Sequence, residues 1–458
     1  MSRVLIVSHD VVDRHMAGPA IRAWEFARRL GKQDEVTLAV PNKANLTGED
    51  FALVTYDHQR LGELAANTDC TIVSGLTLTQ YPFLRQASPV LVIDVYDPFA
   101  LENLQLLADQ GMGLRVKDHR SLTQAINAQL LQGDFFICAS EKQRDYWLGT
   151  LSALNRVNPQ TYDADPTLRA LIDVVPFGLP DAPPQHRRPV MKGLVPGIGP
   201  DDKVLLWNGG IYNWLDPLSL IRAVAEVSRQ RDDVRLFFMG VRHPNPRVHP
   251  MRMAKRAMRL SDELGLTDRI VFFNDWVPYE ERENYLLEAD LGISLHLPHI
   301  ETHFAFRTRL LDCLWAGLPM IVTGGDALAE LVREHDLGQV IEPEDVDGLV
   351  RAISTLLADA NAKAIRADTF ARIQARFTWD RAIEPLVRFC HNPRRAPDLI
   401  GRTALSDMTD LQRPALSPSW RILASKGWRC LRDRGPRALW REVRAYVDWQ
   451  WGLQKQDQ

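Results

Sequence analysis

Short runs of β-branched and apolar residues, each followed by a stretch with helical periodicity, recur along most of this chain. That alternation is the mark of parallel βαβ units and leaves few other architectures open. The first series of strand candidates covers residues 4–10, 36–41, 71–75, 90–97, 135–140 and 174–178. A second series covers 204–210, 234–240, 269–276, 291–297, 318–325 and 338–343. Several are apolar at nearly every position, which suits strands covered by helices on both faces. Between the two series, residues 180–200 are dense in proline and glycine and read as a linker. The expected fold class is α/β, with two tandem doubly wound parallel-sheet domains over residues 1–186 and 187–378 and a cleft between them. A helix over 379–398 returns toward the first domain, and a tail follows over 415–458.

Composition removes several function classes. The 458 residues are 45% hydrophobic and 25% charged, as in an ordinary soluble protein. A formal charge of −3 does not suit a chain that coats nucleic acid. No apolar run approaches the roughly 20 residues of a membrane span, and the opening MSRVLIVSHD enters a strand-like stretch without the pattern of a secretion signal. The five cysteines are far apart with no C-x-x-C pair, which argues against a disulfide framework or a zinc site. A reduced, cytoplasmic protein without a bound metal is the expectation.

Open parallel sheets bind ligands at the carboxyl ends of their strands, so the residues just after strands carry the chemistry. No G-x-G-x-x-G follows the first strand, which disfavours a dehydrogenase. Instead Gly18-Pro19 opens a helix with Ile21, Trp24, Phe26 and Ala27 facing inward, and Gly18 lets an anion approach a helix N-terminus. The alternative for Gly18 is a turn residue only. Asp94 and Asp97 end the fourth strand and suit either a cleft or a helix cap. Asn208-Gly209-Gly210 fall between a strand and a helix, where backbone N–H groups can cradle phosphate oxygens, while Asp216-Pro217 reads as a helix cap. The densest constellation follows the strand at 291–297. There a loop carries Glu301 and His303, and a helix over about 305–315 has Arg307 and Arg309 in its first turns. Positive charge there opposes the macrodipole, so an anionic ligand or a carboxylate elsewhere should offset it.

The tail has its own composition. Trp420, Trp428, Trp440, Trp449 and Trp451 are five of the chain's twelve tryptophans, and basic residues outnumber acidic ones around them. Pro436 can start a helix with Leu439, Trp440, Val443, Tyr446, Val447 and Trp451 on one face. Such a helix lies flat on an anionic membrane surface, here through residues 420–453, or packs back on the protein.

Taken in order, VLIVSHD with AGPAIRAWEFARRL, VVPFGL, WNGG, VFFNDWVPYEERENYLLEADLGISLH and LDCLWAGLPMIVTGG resemble a GT-B glycosyltransferase of family 4 over residues 1–390. The resemblance implies a retaining enzyme that moves a sugar from a nucleotide-diphosphate sugar to a glycan or lipid-linked acceptor in cell-surface polysaccharide assembly. It implies no separate cofactor, a donor nucleotide on the second domain and an acceptor on the first. The tail adds the expectation of a cytoplasmic protein that can sit on the inner face of the membrane, and the charge balance that of no nucleic-acid partner. The family's Glu-x7-Glu motif is modified here. Asp312 takes the second acid, which holds the ribose; Phe304 stands at the first, with Glu301 three residues earlier taking over the donor-sugar hydroxyls beside His303. The family's Arg and Lys near Asn208-Gly209-Gly210 are missing, and Arg307 and Arg309 are the replacements, with Gly18 also on the phosphates. Trp276-Val277 stands where the family holds the base, and Asp97 is the counterpart of a histidine near the reacting carbon. On this reading Asp97, Glu301 and Arg307 are the catalytic candidates. Two rivals stay open: a nucleotide-sugar epimerase or phosphorylase on the same scaffold, and a non-catalytic member that scaffolds a glycan-assembly complex.

Overall fold

Strands covered on both faces need apolar residues at successive positions, and the buried runs of this chain meet that need. The first sheet contains β1 (Arg3–Val7), β2 (Glu35–Val40), β3 (Ala52–Thr55), β4 (Cys70–Ser74), β5 (Leu91–Asp94), β6 (Phe135–Cys138) and β7 (Ile172–Val174). The second contains β8 (Lys203–Gly210), β9 (Val234–Gly240), β10 (Val271–Phe273), β11 (Leu291–Ser294), β12 (Met320–Thr323) and β13 (Gly338–Ile341). Their spatial orders are β3-β2-β1-β4-β5-β6-β7 and β10-β9-β8-β11-β12-β13, with all pairings parallel. Each order reverses direction once, beside β1 and β4 in one sheet and beside β8 and β11 in the other, and such switch points open crevices. The computed structural model describes residues 1–248, 250–359, 362–400, 428, 430–433 and 435–444. Both sheets belong to one compact unit, Met1–Met408.

Alternate strand residues serve opposite faces. In β8, Leu205 and Trp207 pack with Phe238 and the helices Pro217–Val227 and Val346–Ala358, while Val204 and Leu206 join Leu310 and Leu314 on the other side. The fully buried Trp207 is the largest of these side chains, so Trp207→Ala should cost about 3–5 kcal/mol. In β1 the same division puts Leu5 and Val7 with Phe136 and Trp147, and Val4 and Ile6 with Phe26 and Leu30. Strand β3 is absent from the sequence reading. It lies at the sheet edge and is only half-buried, so its four residues lack the apolar signal of the central strands.

The chain crosses between the domains twice, and the crossings lie side by side. Leu179 N–H donates to Phe377 O at 2.6 Å, and Trp379 N–H donates to Leu179 O at 3.2 Å. Arg29 spans both, meeting Asp181 at 2.5 Å and Asp380 at 2.8 Å. After the second crossing the helix Glu384–His391 packs on the first domain, with Phe389 stacked on Phe135 at 4.4 Å. Arg156, fully buried, then holds Asp398 at 2.7 Å. The linker has no regular secondary structure, and Glu288 holds it by accepting from the backbone of Val190, Met191 and Lys192.

Residues 409–458 form a separate unit. In it Pro436 begins the helical stretch 436–444, and Trp440 and Val443 are exposed. Trp420, Tyr446, Val447, Trp449 and Trp451 lie outside the described residues. Among the described residues no helix is long and apolar enough to cross a membrane.

Candidate functional site

The switch points of the two sheets face one cleft. Of the residues singled out in the sequence, Gly18, Asn208, Gly209, Gly210, Trp276, Val277, Arg309 and Asp312 line it together. Gly18 begins the helix Gly18–Leu30, with Pro19 in its first turn, and Ile21 of that helix also reaches the cleft. Phe26 and Ala27 point into the core as expected; Trp24 is half-buried, its ring edge-on to Phe51.

Strand β8 ends in an irregular register between Trp207 and Gly210, and Gly209 there has φ of +112°, a conformation that costs other residues strain. The Asn208 side chain is already engaged. Its amide donates to Arg309 O at 2.7 Å and its carbonyl accepts from Cys313 Sγ, so it clamps β8 to the helix Thr308–Trp315. Its side chain thus fixes the bend; the backbone N–H groups expected to meet phosphate are separate from this side-chain engagement.

The two guanidinium groups separate. Arg307 forms a buried two-pronged pair with Glu301, at 3.0 and 2.6 Å, and is not among the cleft-lining residues. Arg309 donates to Gly210 O at 2.8 Å, lies over the Trp207 ring, and makes no ion pair among the described residues. Its Nη1 is buried with no partner. Burial lowers its pKa to about 10, with Arg307 adding to the effect, so the group stays cationic at neutral pH. The expected helix over 305–315 in fact begins at Thr308. A short helix, Ile300–Phe304, precedes it, and Ala305 is extended between them. That break turns Arg307 back toward Glu301 and leaves Arg309 as the one of the two that lines the cleft.

At the base end, the Trp276 indole N–H donates to Met16 O at 3.2 Å, which fixes the ring across the domain boundary. A Cβ on Gly240 would sit 2.7 Å from that ring, so only glycine fits beside it. Asp312 accepts from Arg282 at 3.2 Å through Oδ1 and is about a third exposed, leaving capacity for a ligand hydroxyl.

A second cluster lies beyond Tyr212. Asp97, past the end of β5, has its pKa pushed up to about 7 by burial, the neighbouring Asp94 and Glu301 adding to this against the Tyr96 contact. Glu102, on the helix Phe99–Leu106, is pushed well above the carboxylate range by desolvation, with Asp97 and Glu301 adding to it and Arg307 opposing. Glu102 was not singled out in the sequence. The pattern DPFALE, an acid in the first turn of a helix just after a strand end, is the signal that could have found it. His9, directly after β1 and bonded to Ser74 Oγ at 2.9 Å, was also missed. Asp94 is spent on a buried pair with Arg22 at 2.5 Å.

His303 and Phe304 do not meet the cleft-lining residues. His303 is exposed with its ring edge-on to Phe304. Phe304 packs on Tyr146 of the first domain, and its carbonyl accepts from Gln143 at 2.9 Å. Phe304 thus makes a contact between domains, and neither residue is among those that line the cleft. Among the described residues no group of three His, Cys, Asp or Glu side chains is placed to hold a metal ion.

Residues 202–359 match the family described as glycosyl transferases group 1. The chain is 27% identical over 241 residues to D-inositol 3-phosphate glycosyltransferase of Salinispora tropica, covering 49% of this chain and 46% of that protein. It is 25% identical over 194 residues to the enzyme of the same name from Mycolicibacterium smegmatis, covering 42% and 40%. The match thus spans less than half the length of these relatives. Among solved structures, sucrose-phosphate synthase from Thermosynechococcus elongatus aligns with a TM-score of 0.59 at 16% identity, over 85% of this chain and 98% of that one. HepE from Anabaena in complex with UDP-glucose aligns with a TM-score of 0.57 at 13% identity, over 85% and 100%. These likenesses concern the fold. Residues 202–359 are thus a domain of the glycosyl transferases group 1 family, set within a two-sheet chain of GT-B fold.

Proposed function

We propose that the chain is a retaining glycosyltransferase that moves a sugar from a nucleotide-diphosphate sugar to a glycan or lipid-linked acceptor in cell-surface polysaccharide assembly. The observation that carries this reading is Arg309: a buried guanidinium with an unpartnered Nη1, beside Gly209 and Gly210, in a cleft that also holds Trp276 and Asp312. In this reading the base lies by Trp276 and Val277 and the ribose hydroxyls bond Asp312. The diphosphate meets the glycine bend, Arg309 and the helix end at Thr308.

A leaving diphosphate gains negative charge as the anomeric bond breaks, and donors fixed in advance at that charge are usually the largest catalytic effect. Retention follows if the acceptor hydroxyl attacks from the leaving-group face while a phosphate oxygen takes its proton. The acceptor lies on the first-domain side, near Asp97 and Glu102, where a carboxyl held near pKa 7 can exchange a proton with it at neutral pH. HepE, whose structure contains UDP-glucose, supports a uridine diphosphate sugar as the first donor to try. The exposed Trp440 and Val443 of the tail support contact with an anionic membrane surface on the cytoplasmic side. The test is thermal shift against uridine, guanosine and thymidine diphosphate sugars, followed by transfer assays with the donor that binds. Selective binding raises the melting temperature by mass action. No shift with any of them would remove the reading.

A further inference from the structure

The helix Met112–Leu130 ends with Ile126, Gln129 and Leu130, spaced to share one face. Ile126 and Leu130 join the apolar core, and Gln129 is buried among them at 5% exposure although its amide needs hydrogen-bond partners. Its Nε2 donates to Gly75 O at 3.0 Å, just past the end of β4. Its Oε1 is buried and has no partner among the described residues. An amide oxygen left in that state is costly, so a donor should stand near it. Gln129 lines a small cavity at the end of β5 together with Asp94, Asp97 and Trp147; the other lining residues are apolar or glycine. Trp147 spends its indole N–H on Val95 O at 2.8 Å. Asp94 is held through both oxygens by Arg22, at 2.5 and 3.1 Å, and a carboxylate so paired only accepts. Asp97 is the side chain of this set that still has a proton to give.

We propose that Gln129 is a positioning residue for Asp97: the neutral Asp97 carboxyl donates its O–H to Gln129 Oε1. The charges around Asp97 favour that neutral form. Asp94, Glu102 and Glu301 face it from three elements, and the cations Arg22 and Arg307 are taken by Asp94 and Glu301. Tyr96 and Tyr212 bring hydroxyls only, and the helices Met112–Leu130 and Glu141–Ala153 bring no charge to the cavity. Burial, with Asp94 and Glu301 adding to it, raises the Asp97 pKa to about 7, against Tyr96 and Arg22. Asp97 is half-buried, so its second oxygen stays open to a ligand. On the transferase reading, that oxygen accepts from the acceptor hydroxyl and orients it, while the acid adds no charge to repel the donor diphosphate. This orienting role rests on that reading; the place of the proton does not.

The test is infrared difference spectroscopy of the full chain between about pH 5 and about pH 9, on either side of the Asp97 midpoint. The acid C=O band that Asp97→Asn removes belongs to Asp97. In the wild type it should lie at the frequency of a carboxylic acid that donates a hydrogen bond. The frequency of a free acid would overturn the proposal without any substitution at Gln129. Gln129→Met keeps the length of the side chain and removes the acceptor. The band should then move to the free-acid position, and its midpoint should fall by about one pH unit, a tenfold weaker hold on the proton. Because the neutral form is the one that loses a partner, the drop in melting temperature should be largest at about pH 5 and fade as pH rises through about 7. A Gln129 that only packs would cost the same at every pH and leave band and midpoint in place, which would overturn the proposal. A midpoint that rises would also overturn it, since the amide would then serve the carboxylate. No step needs a sugar donor, so failure of the transferase reading shows separately in the donor panel.

Discussion

Two regions near Tyr212 carry opposite imbalances of charge. At the glycine bend, Arg309 stands with no carboxylate paired to it. In the acid cluster, Glu301 and Glu102 have Arg307 as their cation, while Asp97 is opposed by Arg22, which is already paired with Asp94. Tyr212 has Arg309 on one side and Asp97 and Glu102 among its charged neighbours. A group that needs an anion therefore sits close to groups that would repel one. The difference teaches that ligand polarity is set within each region: a diphosphate fits only the first, and neutral hydroxyls or a shared proton fit the second.

The strongest way to break this contrast is to unpair the second region. Glu301→Ala would leave Arg307 buried without its partner, and a loss of about 3–5 kcal/mol in stability is expected, read by chemical denaturation. Arg309→Ala should instead leave stability closer to wild type and lower kcat by roughly ten- to more than a hundredfold, the share of a charge-assisted contact worth about 1.5–3 kcal/mol. Equal kinetics in that variant would mean the diphosphate lies elsewhere. Gly209→Ala forces a side chain into a positive φ, at about 1–3 kcal/mol, and should weaken nucleotide binding in calorimetry along with the bend.

The smallest effect sharpens the contrast through pH. Asp97 has a folded pKa raised above its unfolded value, so its stabilising share is complete below about pH 4 and is lost as pH rises through about 7. Asp97→Asn should therefore melt at a relatively higher temperature than wild type above about pH 7 and lose that advantage near about pH 4. A difference that does not vary with pH would place Asp97 in water.

Much of this was readable before any coordinates. Apolar runs such as VLLW and VRLFFMG give buried strands because helices cover both faces, and the cleft then follows from the strand order. Gly18 could be found because it opens a helix with Pro19, Gly209 and Trp276 because they lie at or just past strand ends, and Asp312 by its fixed spacing from Gly317-Leu318-Pro319. The division of labour between Arg307 and Arg309 could not. It depends on a break at Ala305 that brings together residues six apart in sequence, outside the spacing at which a continuous helix pairs side chains. Phe304 misled for a related reason: its position matched a motif, but its ring is held by Tyr146, from a distant part of the chain.

The paired crossings near Leu179 and Thr378 have a mechanical consequence. Two covalent connections, tied to each other by backbone hydrogen bonds and to one arginine, act like two pins of one door hinge. Sliding or twisting of one half past the other would have to tear that ladder, whereas swinging about it would not. The jaws can then part and meet again in the same alignment each time.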